Sequence, residues 1–72
     1  MNKNMLVGIM KMHGDTQAVL ASEIGISTPT INAKINEKNG SEFSRSEIQK
    51  IKERYNLDDA MIGEIFFASA VS

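Results

Sequence analysis

The apolar positions fall in short stretches at helical spacing, separated by polar breaks. Leu6, Ile9, Met10 and His13 stand at i, i+3, i+4 and i+7, one stripe of a helix over about 4–13. Gly14-Asp15 makes a turn, and Asp15 or Thr16 caps a second helix through its oxygen. That helix ends before Gly25, a residue suited to the left-handed position past a helix C-terminus. Ser27 is the N-cap of a third helix, Pro29 falls in its first turn, where a missing N–H costs nothing, and the helix ends near Asn36. Residues 37–42 form a polar loop with an Asn39-Gly40 turn signal. Ser44 and Glu47 make a capping box, with Phe43 and Ile48 as the two ends of a hydrophobic staple. Ile48, Ile51 and Tyr55 then share one face. Asn56-Leu57 breaks the pattern, and Asp58 caps a fifth helix over about 59–68 with Ile62, Ile65 and Phe66 inward. No stretch of useful length alternates with the period of two that a half-buried strand requires. The pattern predicts an all-α, compact five-helix domain spanning 1–72, without repeats or an interdomain linker, ending in an apolar tail at 67–72.

Composition narrows the chemistry. A chain of 72 residues buries only about 60% of its unfolded surface, so stability is marginal unless packing is good or the chain oligomerises. There is no cysteine, which removes disulfides and thiolate metal sites and fits a reducing cytoplasm. His13 is the only histidine, so a zinc site is not expected, and the residue is read as packing or capping the first helix. Met5, Met10, Met12 and Met61 read as core filler rather than a cofactor box. No apolar run approaches the roughly 18 residues of a membrane span. The N-terminal stretch lacks a small-residue cleavage site and reads as a first helix rather than a signal peptide. No nucleophile–base pair, phosphate loop or metalloprotease motif appears. The expectation is a cytoplasmic non-enzyme without cofactor or metal.

Residues 16–36 carry the most information. Two short helices joined at Gly25, with Ile26 as an apolar anchor and a new helix after Ser27, read as a helix–turn–helix. Ala21 and Gly25 leave room for the crossing, and Leu20, Ile24, Ile26, Ile31 and Ile35 fill the shared core. The outward positions of helix 3 are then Thr28, Pro29, Asn32, Ala33 and Asn36, all short or polar. Asn pairs bidentately with adenine, Thr bonds either groove edge, and apolar atoms meet thymine methyls. Phosphate contacts fall to groups flanking helix 3: Thr16, Gln17, Ser27, Lys34, Asn36, Lys38 and Asn39. Lys11, Lys50, Lys52 and Arg54 read as ordinary solvated surface. The net charge of −1 runs against a domain of this kind. Its distribution is more favourable, since residues 1–56 balance at +2 and residues 57–72 at −3.

The segment resembles the helix–turn–helix of phage Cro and repressor proteins. Thr16, Gln17, Leu20, Ala21, Ile24, Gly25, Ile26 and Ser27 match their common pattern. The likeness extends over about residues 4–67, to small Cro-like regulators of prophages in Gram-positive bacteria. It implies base reading by Thr28, Pro29, Asn32 and Ala33 and a phosphate contact from Gln17. Where the family often carries Arg or Gln, this chain has Thr28, Pro29 and Ala33, which shifts direct readout onto Asn32 and methyl contacts. It also implies sequence-specific operator binding, with regulation by site occupancy because no room remains for an effector domain. The apolar end at Phe67 and Val71 is the expected seam of a homodimer on an inverted-repeat operator. The alternative is a protein–protein module, an antitoxin or anti-repressor, working through the acidic C-terminal helix.

Overall fold

The computed structural model describes residues 1–67. Five α-helices follow in order: α1 (Lys3–Met12), α2 (Gln17–Ile24), α3 (Thr28–Ile35), α4 (Arg45–Tyr55) and α5 (Asp59–Phe66). A 3₁₀ turn at Lys38–Gly40 sits between α3 and α4, and no strand occurs among the described residues. The fold is therefore all-helical, with a radius of gyration of 11.4 Å, close to the roughly 11 Å expected of a well-packed chain of this length.

Every helix starts on a side-chain cap. Asn2, Thr16, Ser27, Ser44 and Asp58 accept from the main-chain N–H of Met5, Val19, Thr30, Glu47 and Met61 respectively. Asn2 was not anticipated as a cap, and α1 begins one residue earlier than its apolar stripe implies. At Ser44 the capping box is complete, since Glu47 also accepts from the Ser44 N–H. Gly25 has φ +83°, the left-handed position expected of it. The Ile26 N–H reaches back to the Ala21 carbonyl at 2.9 Å, and the Gly25 N–H to Ser22 at 3.3 Å. These two bonds satisfy carbonyls that a helix end otherwise leaves free, and they turn the chain directly into α3. The same pair of bonds closes α1 at Gly14 and α4 at Asn56.

The core is one cluster built from all five helices: Leu6 and Met10; Leu20, Ala21 and Ile24; Ile31 and Ile35; Phe43, which precedes α4, with Ile51 and Tyr55; and Ile65. Ala21, almost fully buried, leaves room for α3 to pack against α2. Ile26 and Ile48 are half-buried against this cluster, and the Phe43 and Phe66 rings meet edge-to-face at 5.7 Å. The Asn2 N–H donates to the Ile65 carbonyl at 2.6 Å, fastening the start of α1 to α5.

Three expectations are corrected. His13 does not continue the α1 stripe, because the helix stops at Met12; its reading as a cap holds, since the exposed His13 is the C-cap, with its ring 4.8 Å from that of Tyr55. Met12, expected in the core, is 84% exposed, because it falls on the opposite side of α1 from Leu6 and Met10. Helix α5 ends at Phe66 rather than near 68. The dimer-seam residue Val71, with Ala68 and the rest of the tail, lies outside the described residues.

Candidate nucleic-acid interface

The surface in question is the side of α3 turned away from Ile31 and Ile35. Thr28 and Pro29 are exposed at its start, while Asn32 and Ala33 are half-buried further along. Ser27 sets the start: its Oγ accepts from the Thr30 N–H at 3.3 Å and donates to Thr30 Oγ1 at 2.7 Å. Its hydroxyl proton is thus committed within the first turn. Thr16 Oγ1 accepts from the Val19 N–H at 3.2 Å, which leaves its own O–H to donate outward.

Asn32 is the node of the face. Its Nδ2 donates to Gln17 Oε1 at 3.2 Å, and its Oδ1 accepts from Lys38 Nζ at 3.3 Å. Gln17 is the first residue of α2, so one amide–amide hydrogen bond ties the start of that helix to the middle of α3. The two contacts select one amide orientation for Asn32. An amide has two N–H donors and two acceptor lone pairs, so one donor and one acceptor remain. Asn36, the C-cap of α3, donates from Nδ2 to the Asn32 carbonyl at 2.9 Å. Its Oδ1 accepts from Lys3 Nζ at 3.1 Å. Asn39 is exposed in the 3₁₀ turn, at φ +52°.

Lys34 is not available to this face. Its Nζ lies 2.6 Å from Glu47 Oε1, with the two side chains 17% and 12% exposed. Burial pushes the Glu47 carboxyl upward, but the bonds from Lys34 and the Ser44 N–H outweigh it and hold the group below its ordinary value. The reason is geometric: Lys34 follows Asn32 by two positions, about 200° round the helix, and so faces the start of α4. Lys34, expected as a phosphate contact, is instead the ion-pair partner of Glu47.

The other cations divide by partner. Arg54, read from sequence as plain surface, makes a two-pronged contact with Asp15 at 2.8 and 2.9 Å and reaches Glu23 at 3.3 Å. The Tyr55 hydroxyl donates to the same Asp15 carboxylate at 2.6 Å. The Arg54 bonds first, then the Tyr55 bond, hold Asp15 at about 2, and burial raises the Tyr55 phenol. Asp15 is therefore no helix cap; it fastens the α1–α2 turn to α4. Lys52 is paired with Asp59 at 2.5 Å, so it too is not simply solvated. Lys3 and Lys38 have no carboxylate within 4 Å among the described residues, and each rests on a neutral amide instead. Lys3 was missed in the sequence because it adjoins Asn36 only through folding, 33 positions apart.

Phe67 is 65% exposed at the end of α5. It borders a hollow of about 80 Å³ lined also by Phe43, Ile48 and Phe66. No helix among the described residues is long and apolar enough to cross a membrane. No protein-family model, curated protein or solved structure matches the chain.

Proposed function

We propose that the chain binds operator DNA sequence-specifically, with α2, the Gly25 turn and α3 acting as a helix–turn–helix and α3 entering the major groove. The observation that carries this reading is Asn32, held between Gln17 and Lys38 on the outward side of α3 with one donor and one acceptor unspent. One donor and one acceptor on a single amide are what adenine N7 and N6 require. Thr28, Pro29 and Ala33 flank it with a hydroxyl and small apolar atoms, suited to either groove edge and to thymine methyls. Gln17, Asn36 and Lys38, each bonded to Asn32, together with Thr16 and Asn39 would supply the phosphate contacts, which fix position without reading sequence. The resemblance of residues 16–27 to Cro and repressor proteins points the same way. The role is that of a Cro-like phage or prophage regulator, acting by occupying its site. A dimer joined near Phe67 would present two such helices to half-sites about 10 base pairs apart.

Selection of bound sites from a random duplex pool tests the proposal. The expected outcome is an enriched inverted repeat with an invariant adenine in each half-site. Failure to enrich any sequence, alongside a tight complex with another protein, would overturn it in favour of a protein–protein module.

A further inference from the structure

We infer that Lys3, in the first turn of α1, is a backbone-phosphate contact for duplex DNA, working in series with Lys38. The inference rests on the DNA-binding reading above and adds a residue from a helix outside the α2–α3 unit. Lys3 Nζ donates to Asn36 Oδ1 at 3.1 Å, and Lys38 Nζ donates to Asn32 Oδ1 at 3.3 Å. Asn32 and Asn36 lie one turn apart on α3, about 6 Å along its axis. The two ammonium groups are thereby docked in a row along one side of the helix. Their anchors are neutral amides, so each lysine is ordered without being neutralised. Lys34, Lys52 and Arg54 differ, since carboxylates take their charge. Each docked ammonium spends one N–H on its amide and retains two for an anion. Glu37, next to Asn36 in sequence, is turned toward the Met1 amino nitrogen at 3.4 Å rather than onto either lysine.

Two ordered cations in series suit a ligand that carries anions in series. A DNA strand does so, and counterion release makes each such contact visible in the salt dependence. The groups on which the two lysines rest are amides, not the apolar residues that insert into a lipid interface. Lys3 is itself exposed, so replacing it leaves the core untouched.

The test compares Lys3→Gln with Lys11→Gln, binding to a short random-sequence duplex across a salt series. Lys11 sits on the same helix about 12 Å further along the axis, and its loss changes net charge equally. Lys3→Gln is expected to lower the slope of log K against log salt by about one unit. Lys11→Gln and the charge-preserving Lys3→Arg should keep the parent slope. Equal slope losses in both glutamine variants would reduce the effect to diffuse charge and overturn the inference. A parent slope in Lys3→Gln would overturn it too, while leaving the operator reading intact. A parent with no salt-dependent DNA binding would overturn both. Loss of binding confined to phosphatidylserine vesicles would reassign Lys3 to a membrane surface.

Discussion

Replacing Gly25 by alanine isolates the backbone cost of the turn between α2 and α3. Gly25 holds φ +83°, and a Cβ built there meets nothing nearer than Lys50 Nζ at 4.0 Å. Steric overlap therefore contributes nothing, and the cost is the left-handed conformation itself. For a residue with a Cβ that is about 1–2 kcal/mol. In a domain of this size each kcal/mol moves the melting temperature by roughly 4–8 °C, so Gly25→Ala should melt about 4–16 °C early. Gly25→Val should lose more, because a branched side chain fits that region worse. Gly8 supplies the control. It lies inside α1, with no positive φ, and a Cβ there meets nothing within 4 Å. Adding the same methyl at Gly8 should stabilise by about 0.5–1 kcal/mol, since alanine favours the helix. Far-UV circular dichroism melts of the two variants should thus move in opposite directions. If Gly25→Ala melts at or above the parent, the left-handed closure of α2 contributes no strain and the reasoning fails.

Asn32→Ala should cost about 1–3 kcal/mol on a selected site with far less change on random DNA; equal losses on both would remove Asn32 from base reading. Lys38→Ala should lower the salt slope by about one unit, whereas Lys34→Met should leave it unchanged and act on stability instead. A slope loss at Lys34 in a salt titration would refute its assignment to Glu47. Asp15 is held at about 2 when folded against an unfolded value near 3.9. Its stabilisation is therefore complete above that unfolded value and is lost as pH falls toward 2. Asp15→Asn should flatten the acid limb of a stability–pH curve, and an unaltered limb would show that the Arg54–Tyr55 anchor does not matter to folding. Phe67→Glu should keep the parent helicity but sediment as a monomer on a full operator, and a persistent dimer would place the seam elsewhere.

Most of the secondary structure was legible without the fold, because its signals are local. A cap acts over three residues, a staple over five, and a left-handed glycine on its own backbone; Thr16, Ser27, Ser44, Asp58 and Gly25 all serve as their neighbours in sequence imply. The inward faces were legible for a related reason, since burial imposes a period that Leu20, Ile24, Ile31, Ile35, Ile51 and Ile65 keep. The boundary of α1 was less so: nothing in the apolar stripe distinguishes a last helical residue from a C-cap, so the sequence places His13 equally well in the stripe or at the cap it occupies.

Charge carried no such imprint. Lysine and arginine side chains are long, and their partners are set by proximity in space rather than by spacing along the chain. Lys34 and Lys38 look equivalent in sequence. Tertiary packing turned Lys34 toward Glu47 and left Lys38 on the amide of Asn32. The pairing of Arg54 with Asp15 spans 39 positions, and that of Lys3 with Asn36 spans 33. The sequence by itself determined which segments are helical and which faces turn inward, because those depend on neighbours a few residues away. Only the tertiary structure decided which cations remain unneutralised beside α3, because that depends on helices brought together by a core none of those cations enters.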